Sequence, residues 1–513
     1  MRSSLSLFAA VTFVAACGAP PPPATPPPAP AASASAVAPP TAEPPAAETP
    51  DDDFRKQPPA VPARAPTRAT NVEEARLSNG VRVLFVERHE SPIVSLQAVV
   101  SWTTAPNAPG ARRLWAGSLL ASPAKGSPSL REAFEAAGGV ALTEADVDAA
   151  HVAVNLVSSQ LEPVVDVLAE ALVHPTFAKD AVEAQRGRLE GEAEHASMRD
   201  ALHRAASDQL LPLGHPYRTA LDPTWDVYAK LGLGDVSRLH TAAVKPEALT
   251  IVAVGDVTKA SLVDVLERKL GGWKAKGAPA APATPKLATG VHIVDRGDES
   301  DADVAVVVPA MARSSKDWFL ASLVNQLVLE ELEPRFRERV TAGWSSPTAR
   351  LDQTRAPALW MFGVRVGKSG AAAAVEAILA EHERLAKGEL SDERLAATKR
   401  AWARWAETLM DRSSDTAWAL ARVAAYGLAL DDLRPMRDAF AFATKDDVKR
   451  IASTYLGKKL ARVVAVGDAA AMKEPLGKLG LGATTVTKAP KPSKPTLAAS
   501  VGEPHLATPP KKK

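Results

Sequence analysis

The chain has 513 residues, 43 of them proline and one cysteine, with a formal net charge of +2. A single cysteine excludes a disulfide framework and any thiolate-built zinc or iron–sulfur centre, and a charge this close to zero gives no electrostatic case for nucleic-acid binding. The prolines are unevenly placed: residues 1–66 hold 17 and residues 484–513 hold 6, leaving 20 in the 417 residues between. Two Pro-rich tails therefore flank a body of ordinary composition, and a body of that length predicts two or three domains.

Residues 1–16 have the pattern of a secretory signal, with Arg2 as the positive start and a short apolar stretch after it, too short to span a bilayer as a helix. The stretch ends in Val14, Ala15 and Ala16 before Cys17. This resembles the bacterial lipobox, which implies cleavage before Cys17 and lipidation of its thiol and new N-terminus. Gly18 and Ala19 are not the acidic residues that commonly hold such lipoproteins at the inner membrane, so the expected address is the cell envelope, at the outer membrane. Residues 17–66 are Pro/Ala-rich with almost no large apolar side chain; they cannot bury enough surface to offset their ordering entropy and read as an extended tether.

The body repeats. Residues 235–256 and 447–468 align without a gap, because DVSR and DVKR are 212 apart and so are the two copies of VAVGD. Each window predicts a helix, a turn, an apolar strand and a Gly-Asp stop, with the Asp capping the next segment. The body is thus two homologous halves, 67–273 and 291–482, joined by an Ala/Pro/Lys-rich linker at 274–290 and succeeded by a Lys/Pro-rich disordered tail at 483–513. In the first half, residues 72–76, 81–87 and 93–101 predict strands, with Asn79-Gly80 at the first turn. Helices are predicted at 113–120, 130–137 and 161–173, a strand at 151–156, and a long charged helical region at 179–210. The second half predicts a strand at 304–308, a helix at 317–332, a strand at 360–366 and helices at 371–387 and 392–424. Strands and long helices in this order give an α+β class.

These phrases, in order, resemble the pitrilysin/insulysin family of zinc peptidases, which includes the mitochondrial processing peptidase subunits. The carriers are LSNGVRVL at 77–84, FEAAGG at 134–139, LVHPTF at 172–177, GHPY at 214–217 and AVGD at 253–256 with Gly272-Trp273. The resemblance implies two homologous α/β-layered halves of the LuxS/processing-peptidase-like type, forming a clam-like half-shell. It also implies a His-x-x-Glu-His motif on the helix after the third strand, with a further Glu some seventy-odd residues on; the two His and the distal Glu hold Zn²⁺ and the motif's Glu takes a proton from the metal-bound water.

That motif is absent. No His, Asp or Glu occurs between Gly110 and Ser127, and no His-x-x-Glu-His occurs elsewhere. Arg113 would set positive charge beside a cation site. Glu190, Glu192 and Glu194 fall about where the distal ligand is expected, and Glu192 with His195 is one pair at helical spacing, too few groups for a metal centre. Ser118 and Ser122 have no His–Asp arrangement near them in sequence. Active relatives also supply an Arg and, seven residues later, a Tyr that hold substrate; here Arg337 matches and Trp344 stands at the Tyr position, keeping an N–H donor and losing the hydroxyl. The expectation is a non-catalytic subunit with no catalytic residue, metal or cofactor of its own. It would bind peptide through Arg337, Trp344 and an exposed strand edge, and form a heterodimer with a zinc-bearing subunit of the same family. The alternatives are a stand-alone peptide-binding or scaffold lipoprotein, and an active zinc endopeptidase with an atypical site.

Overall fold

The computed structural model describes residues 71–489, apart from 102–108, 196, 219–222, 278–281, 409–410 and 431–432. Cys17, the signal, the tether and the tail beyond 489 lie outside the described residues, which all belong to the unit Thr67–Lys513.

The first half begins with β1 (Glu73–Arg76), β2 (Arg82–Glu87) and β3 (Ile93–Ser101). Helices α1 (Ala111–Ala121) and α2 (Leu130–Ala136), strands β4 (Gly139–Ala145) and β5 (Ala149–Val157), and helix α3 (Leu161–Val173) come next. Then come α4 (Lys179–Glu194), α5 (Met198–Leu210), α6 (Trp225–Tyr228), α7 (Leu233–Ala243), β6 (Leu249–Gly255) and α8 (Lys259–Leu270). The second half runs β7 (Val291–Asp295), β8 (Asp301–Pro309), α9 (Trp318–Arg339), β9 (Thr348–Leu351), β10 (Leu359–Gly367) and α10 (Ala371–Lys387). It closes with α11 (Asp392–Thr408), α12 (Ser413–Tyr426), α13 (Leu433–Phe442), α14 (Lys445–Tyr455), β11 (Arg462–Gly467), α15 (Ala469–Gly477) and β12 (Thr484–Lys488).

The two six-stranded sheets have matching orders, β1-β2-β6-β3-β5-β4 and β12-β7-β11-β8-β10-β9. In both, the late strand enters the centre parallel to the half's early strand and antiparallel to its neighbour. The equivalence reaches single residues. Gly255 and Gly467, 212 apart, end β6 and β11 at φ +140° and +151°, a region closed to other residues. A Cβ on Gly255 would run into the carbonyl of Ile93, and one on Gly467 into that of Asp301. The next residue, Asp in both halves, diverges in role. Asp468 caps α15 through the N–H groups of Ala470 and Ala471. Asp256 caps nothing: it accepts from Ser158 Oγ and pairs with His89, and Thr258 caps α8 instead.

The central strands are buried on both faces, which is why they read as apolar runs rather than alternations. In the first sheet Val83, Phe85, Leu96, Ala98, Ile251 and Ala253 face that half's own helices. The opposite face, Leu84, Val86, Val99, Val252 and Val254, is covered by Ala417, Leu420, Ala421, Ala424 and Ala425 of α12, a helix of the second half. The exchange is reciprocal. Leu202, Ala206 and Leu210 of α5 cover Ala305, Val307, Met361, Val464 and Val466 of the second sheet. At about 25 cal/mol per Å² of apolar surface removed from water, these two helices bind the halves into one body.

Several spans depart from the sequence reading, among them the one expected at 392–424, which is the two helices α11 and α12. The long helix expected at 179–210 is two helices, because Ser197 caps α5 by accepting the N–H of Asp200. Helix α9 continues past Pro334 to Arg339, held by fully buried Phe336 and by Arg335 on buried Glu381. The second half extends into the expected tail: β12 pairs in parallel with β7, so the chain is ordered to Lys488 rather than only to 482. Strands β4, β7 and β9 were not anticipated.

Candidate functional site

The helix that the family resemblance assigns to the metal is α1, opened by Gly110 at φ +78°. A Cβ there would meet Tyr228 and Pro223, so Gly110 lets the start of α1 pack tightly on α6. Arg112 turns inward, is buried, and donates to the Val147 carbonyl. Arg113 turns toward α4 and donates to Glu192 at 2.8 Å, across 79 residues of sequence. Arg188 donates to the other oxygen of Glu192. One turn further along α1, Gly117 lies directly against Gln185 of α4, which occupies the space a side chain at 117 would need.

The residues present do not fit a zinc ion. Helix α1 presents the Arg113 guanidinium and Gly117 where ligands are expected, Arg112 being turned inward. Glu192 is committed to two arginines, Glu190 pairs with Arg186 at 3.3 Å, and His195 bonds the Gly191 carbonyl through Nδ1 at 2.9 Å. Among the described residues no three His, Cys, Asp or Glu side chains come together in a way that could hold a metal. Ser118 and Ser122 are both buried, and Ser122 donates to the Ser118 carbonyl within the helix. What remains over the α1–α4 seam is a cleft of about 320 Å³, lined by Arg113, Glu192, His195, Ser197, Asp200 and Arg204.

Beside α1 lies the edge strand of the first sheet, β4, which among the described residues pairs only with β5. Its register is unusual. The small residues Gly139 and Ala141 face inward, and a Cβ on Gly139 would strike Val154 and Val164. Thr143 bonds the Ala116 carbonyl of α1. Val140 and Leu142 therefore face outward, 59 % and 36 % exposed. Close approach of the helices demands small residues on the inner face, and the large apolar ones are left for solvent.

A second polar constellation joins the halves. Asp148, fully buried in the β4–β5 turn, accepts from Tyr217 Oη at 3.0 Å and from the Arg355 N–H at 2.7 Å. Tyr217 Oη in turn accepts the N–H of Ala356 at 3.0 Å. The Arg355 guanidinium donates to the Ala425 carbonyl at the end of α12 and to Ser101 Oγ on β3. Burial first, and then the neighbouring Asp146, push the Asp148 carboxyl up to about 6. Nearby, His203 of α5 meets Asp352 at 3.0 Å. Burial works to raise the Asp352 carboxyl, but His203 and Arg350 together hold it well below the usual range. His215 serves the turn: Nε2 bonds the Ala283 carbonyl and Nδ1 accepts the Tyr217 N–H.

Arg337 and Trp344 make their contacts within the second half. Arg337, its side chain 70 % exposed, pairs with Glu333 on its own helix. Trp344 bridges to Val366 and packs edge-on against Phe336, with ring centroids 5.7 Å apart. Among the described residues, no hydrogen bond, ion pair or ring contact of either reaches α1 or β4. Cys17 lies outside the described residues.

A family model described as "Insulinase (Peptidase family M16)" matches residues 115–216, and one described as "Peptidase M16 inactive domain" matches residues 230–401. Together they take in more than half of the chain. The chain belongs to the insulinase family. Within that family it lacks the zinc motif, and what it keeps is the peptidase fold. It is similar to a peptidase M16 inactive domain from Pseudomonas fluorescens, with 19 % identity, a TM-score of 0.68, and coverage of 78 % of this chain and 98 % of that one. A protease from Helicobacter pylori is similar at 17 % identity and TM-score 0.68, covering 78 % and 99 %. A chain of complex III2 from Candida albicans, with Inz-5 bound, is similar at 14 % identity and TM-score 0.64, covering 80 % and 100 %. At these identities the likeness is one of fold. No curated protein matches the sequence.

Proposed function

We propose that this insulinase-family chain is a non-catalytic subunit that binds extended peptide. In this reading it pairs with a zinc-bearing subunit of the same family and is held in the bacterial envelope, at the outer membrane, by lipid on Cys17. The observation that carries the loss of catalysis is the ion pair of Arg113 with Glu192. A guanidinium spans α1 and α4 where the family's metal would, and Gln185 packs against Gly117. Peptide binding rests on β4, an open edge beside α1 with Val140 and Leu142 outward. A peptide laid along it gains backbone hydrogen bonds and two apolar contacts without needing a particular sequence. Arg337 is the cation proposed to meet the peptide from the second half, with Trp344 as the apolar face next to it. Zinc, in this reading, belongs to the partner.

The test is fluorescence anisotropy with a labelled, Val/Thr-rich extended peptide and the same peptide N-methylated at alternate residues. The expected result is saturable binding of the first, at least about tenfold weaker binding of the second, and weaker binding by Arg337→Ala. Equal binding of the two peptides overturns the strand-edge mode, and unchanged binding by Arg337→Ala removes that residue from it.

A further inference from the structure

A groove of about 550 Å³ lies far in sequence from α1 and β4. One wall is α11, through Asp392, Leu395, Ala396, Lys399, Arg400 and Ala403. Those positions keep the i, i+3, i+4, i+7 rhythm of one continuous helix face, the face a neighbouring helix packs against. The other wall is the end of α13 and the start of α14, with Phe440, Ala441 and Lys445. Leu395 and Phe440 are already sealed into the core, so Ala396, Ala403 and Ala441 remain as the floor, small enough for a helix backbone to come close.

The rim is positive. Lys399 donates to the Ala443 carbonyl, and Lys445 pairs with Asp392, the one carboxylate of the groove. Arg400 is exposed and makes no ion pair or hydrogen bond among the described residues. Arg404, one turn further along α11, is exposed in the same way. Two long cations four residues apart on one helix, neither in an ion pair with a described residue, repel each other by a few tenths of a kcal/mol. Phe442, 66 % exposed, stands at the end of α13 beside the groove.

We infer that this groove docks an acidic amphipathic helix from a partner protein, its apolar stripe on the alanine floor and its carboxylates on Arg400, Lys399 and Arg404. A helix fits better than an extended strand because the walls are helices and offer no free backbone hydrogen-bonding edge. Acidic chemistry is set by the rim, where Asp392, the one carboxylate among the described lining residues, is already paired with Lys445.

The probe is a labelled synthetic helix of about 18 residues, Glu, Ala and Leu on heptad spacing, titrated into the full chain. Saturable binding is expected, weakened at least about tenfold by Arg400→Glu, abolished by Ala403→Trp, and weakened by added salt. Circular dichroism confirms that both variants fold; Arg400 is exposed, so its variant stays informative even where Ala403→Trp fails. Absence of saturation overturns the inference. So does equal binding by Arg400→Glu, by a Lys/Ala/Leu probe, or by a proline-interrupted acidic probe. Self-association of the chain that Ala403→Trp abolishes would assign the groove to a second copy and overturn it as well.

Discussion

Replacing Tyr217 with Phe removes one oxygen and leaves the ring in place. That oxygen donates to Asp148 at 3.0 Å and accepts from Ala356 at 3.0 Å, and both partners are buried. At pH 7.5 Asp148, with its carboxyl near 6, is ionised, so the first bond is charge-assisted and contributes about 1.5–3 kcal/mol. The Ala356 N–H is left without an acceptor, which costs about 1–3 kcal/mol. Asp148 keeps the Arg355 N–H, so the total expected is about 3 kcal/mol, a large share of the roughly 5–15 kcal/mol that stabilises a typical fold. Because Tyr217 lies in the first half and Ala356 in the second, the loss falls on the seam between them. Amide hydrogen exchange reads this directly: the Ala356 amide and the end of α12 should lose protection by about 150-fold, at 1.4 kcal/mol per tenfold, while the amides of β8 stay protected. A change below about threefold at Ala356 would refute the argument that this hydroxyl ties the halves together.

The same geometry sets three further outcomes. Gly255→Ala should destabilise by more than about 3 kcal/mol, since it adds a backbone clash to a forbidden φ; Gly467→Ala should cost less, because its Cβ would sit farther from the Asp301 carbonyl, and equal midpoints in urea would break the comparison. Asp148 carries a pH signature: with its folded-state value near 6 against an ordinary 3.8, its contribution is full below about pH 4 and lost as pH rises through 6. The stability of wild type minus that of Asp148→Asn should therefore fall between pH 4 and 6.5 by up to about 1.4 kcal/mol per unit. Taking the difference cancels the opposite trend from buried His240 and His382, which burial pushes down to about 4 and about 3; a flat difference refutes the assignment. Val140→Lys with Leu142→Glu should leave thermal stability within a few degrees and weaken peptide binding at least about tenfold, measured by anisotropy.

Much of the fold was legible because the relevant signals are local. The 212-residue offset identified the two halves, and the spans 161–173 and 371–387 match α3 and α10 to the residue. The exchange of α5 and α12 was not legible, since an apolar helix face does not say which sheet covers it. The alanines at 417, 421, 424 and 425 were the available hint, because only small side chains allow that close a layer. Strand β4 was missed because its large residues face solvent, the reverse of the usual pattern. At the candidate site, sequence spacing was enough to show that ligands are missing from α1. It could not show that Arg113 reaches Glu192, or that the Tyr of GHPY belongs to the inter-half seam, since both are contacts between distant segments.

The central claim is that this insulinase-family body does not carry its own zinc chemistry. The most direct measurement is zinc stoichiometry together with chelator-sensitive cleavage of a quenched peptide. It is made on the full chain alone and again with a family subunit that bears His-x-x-Glu-His. The account predicts no stoichiometric zinc and no cleavage from the lone chain, with both appearing in the pair. One zinc per lone chain, with cleavage that a chelator stops, would contradict it.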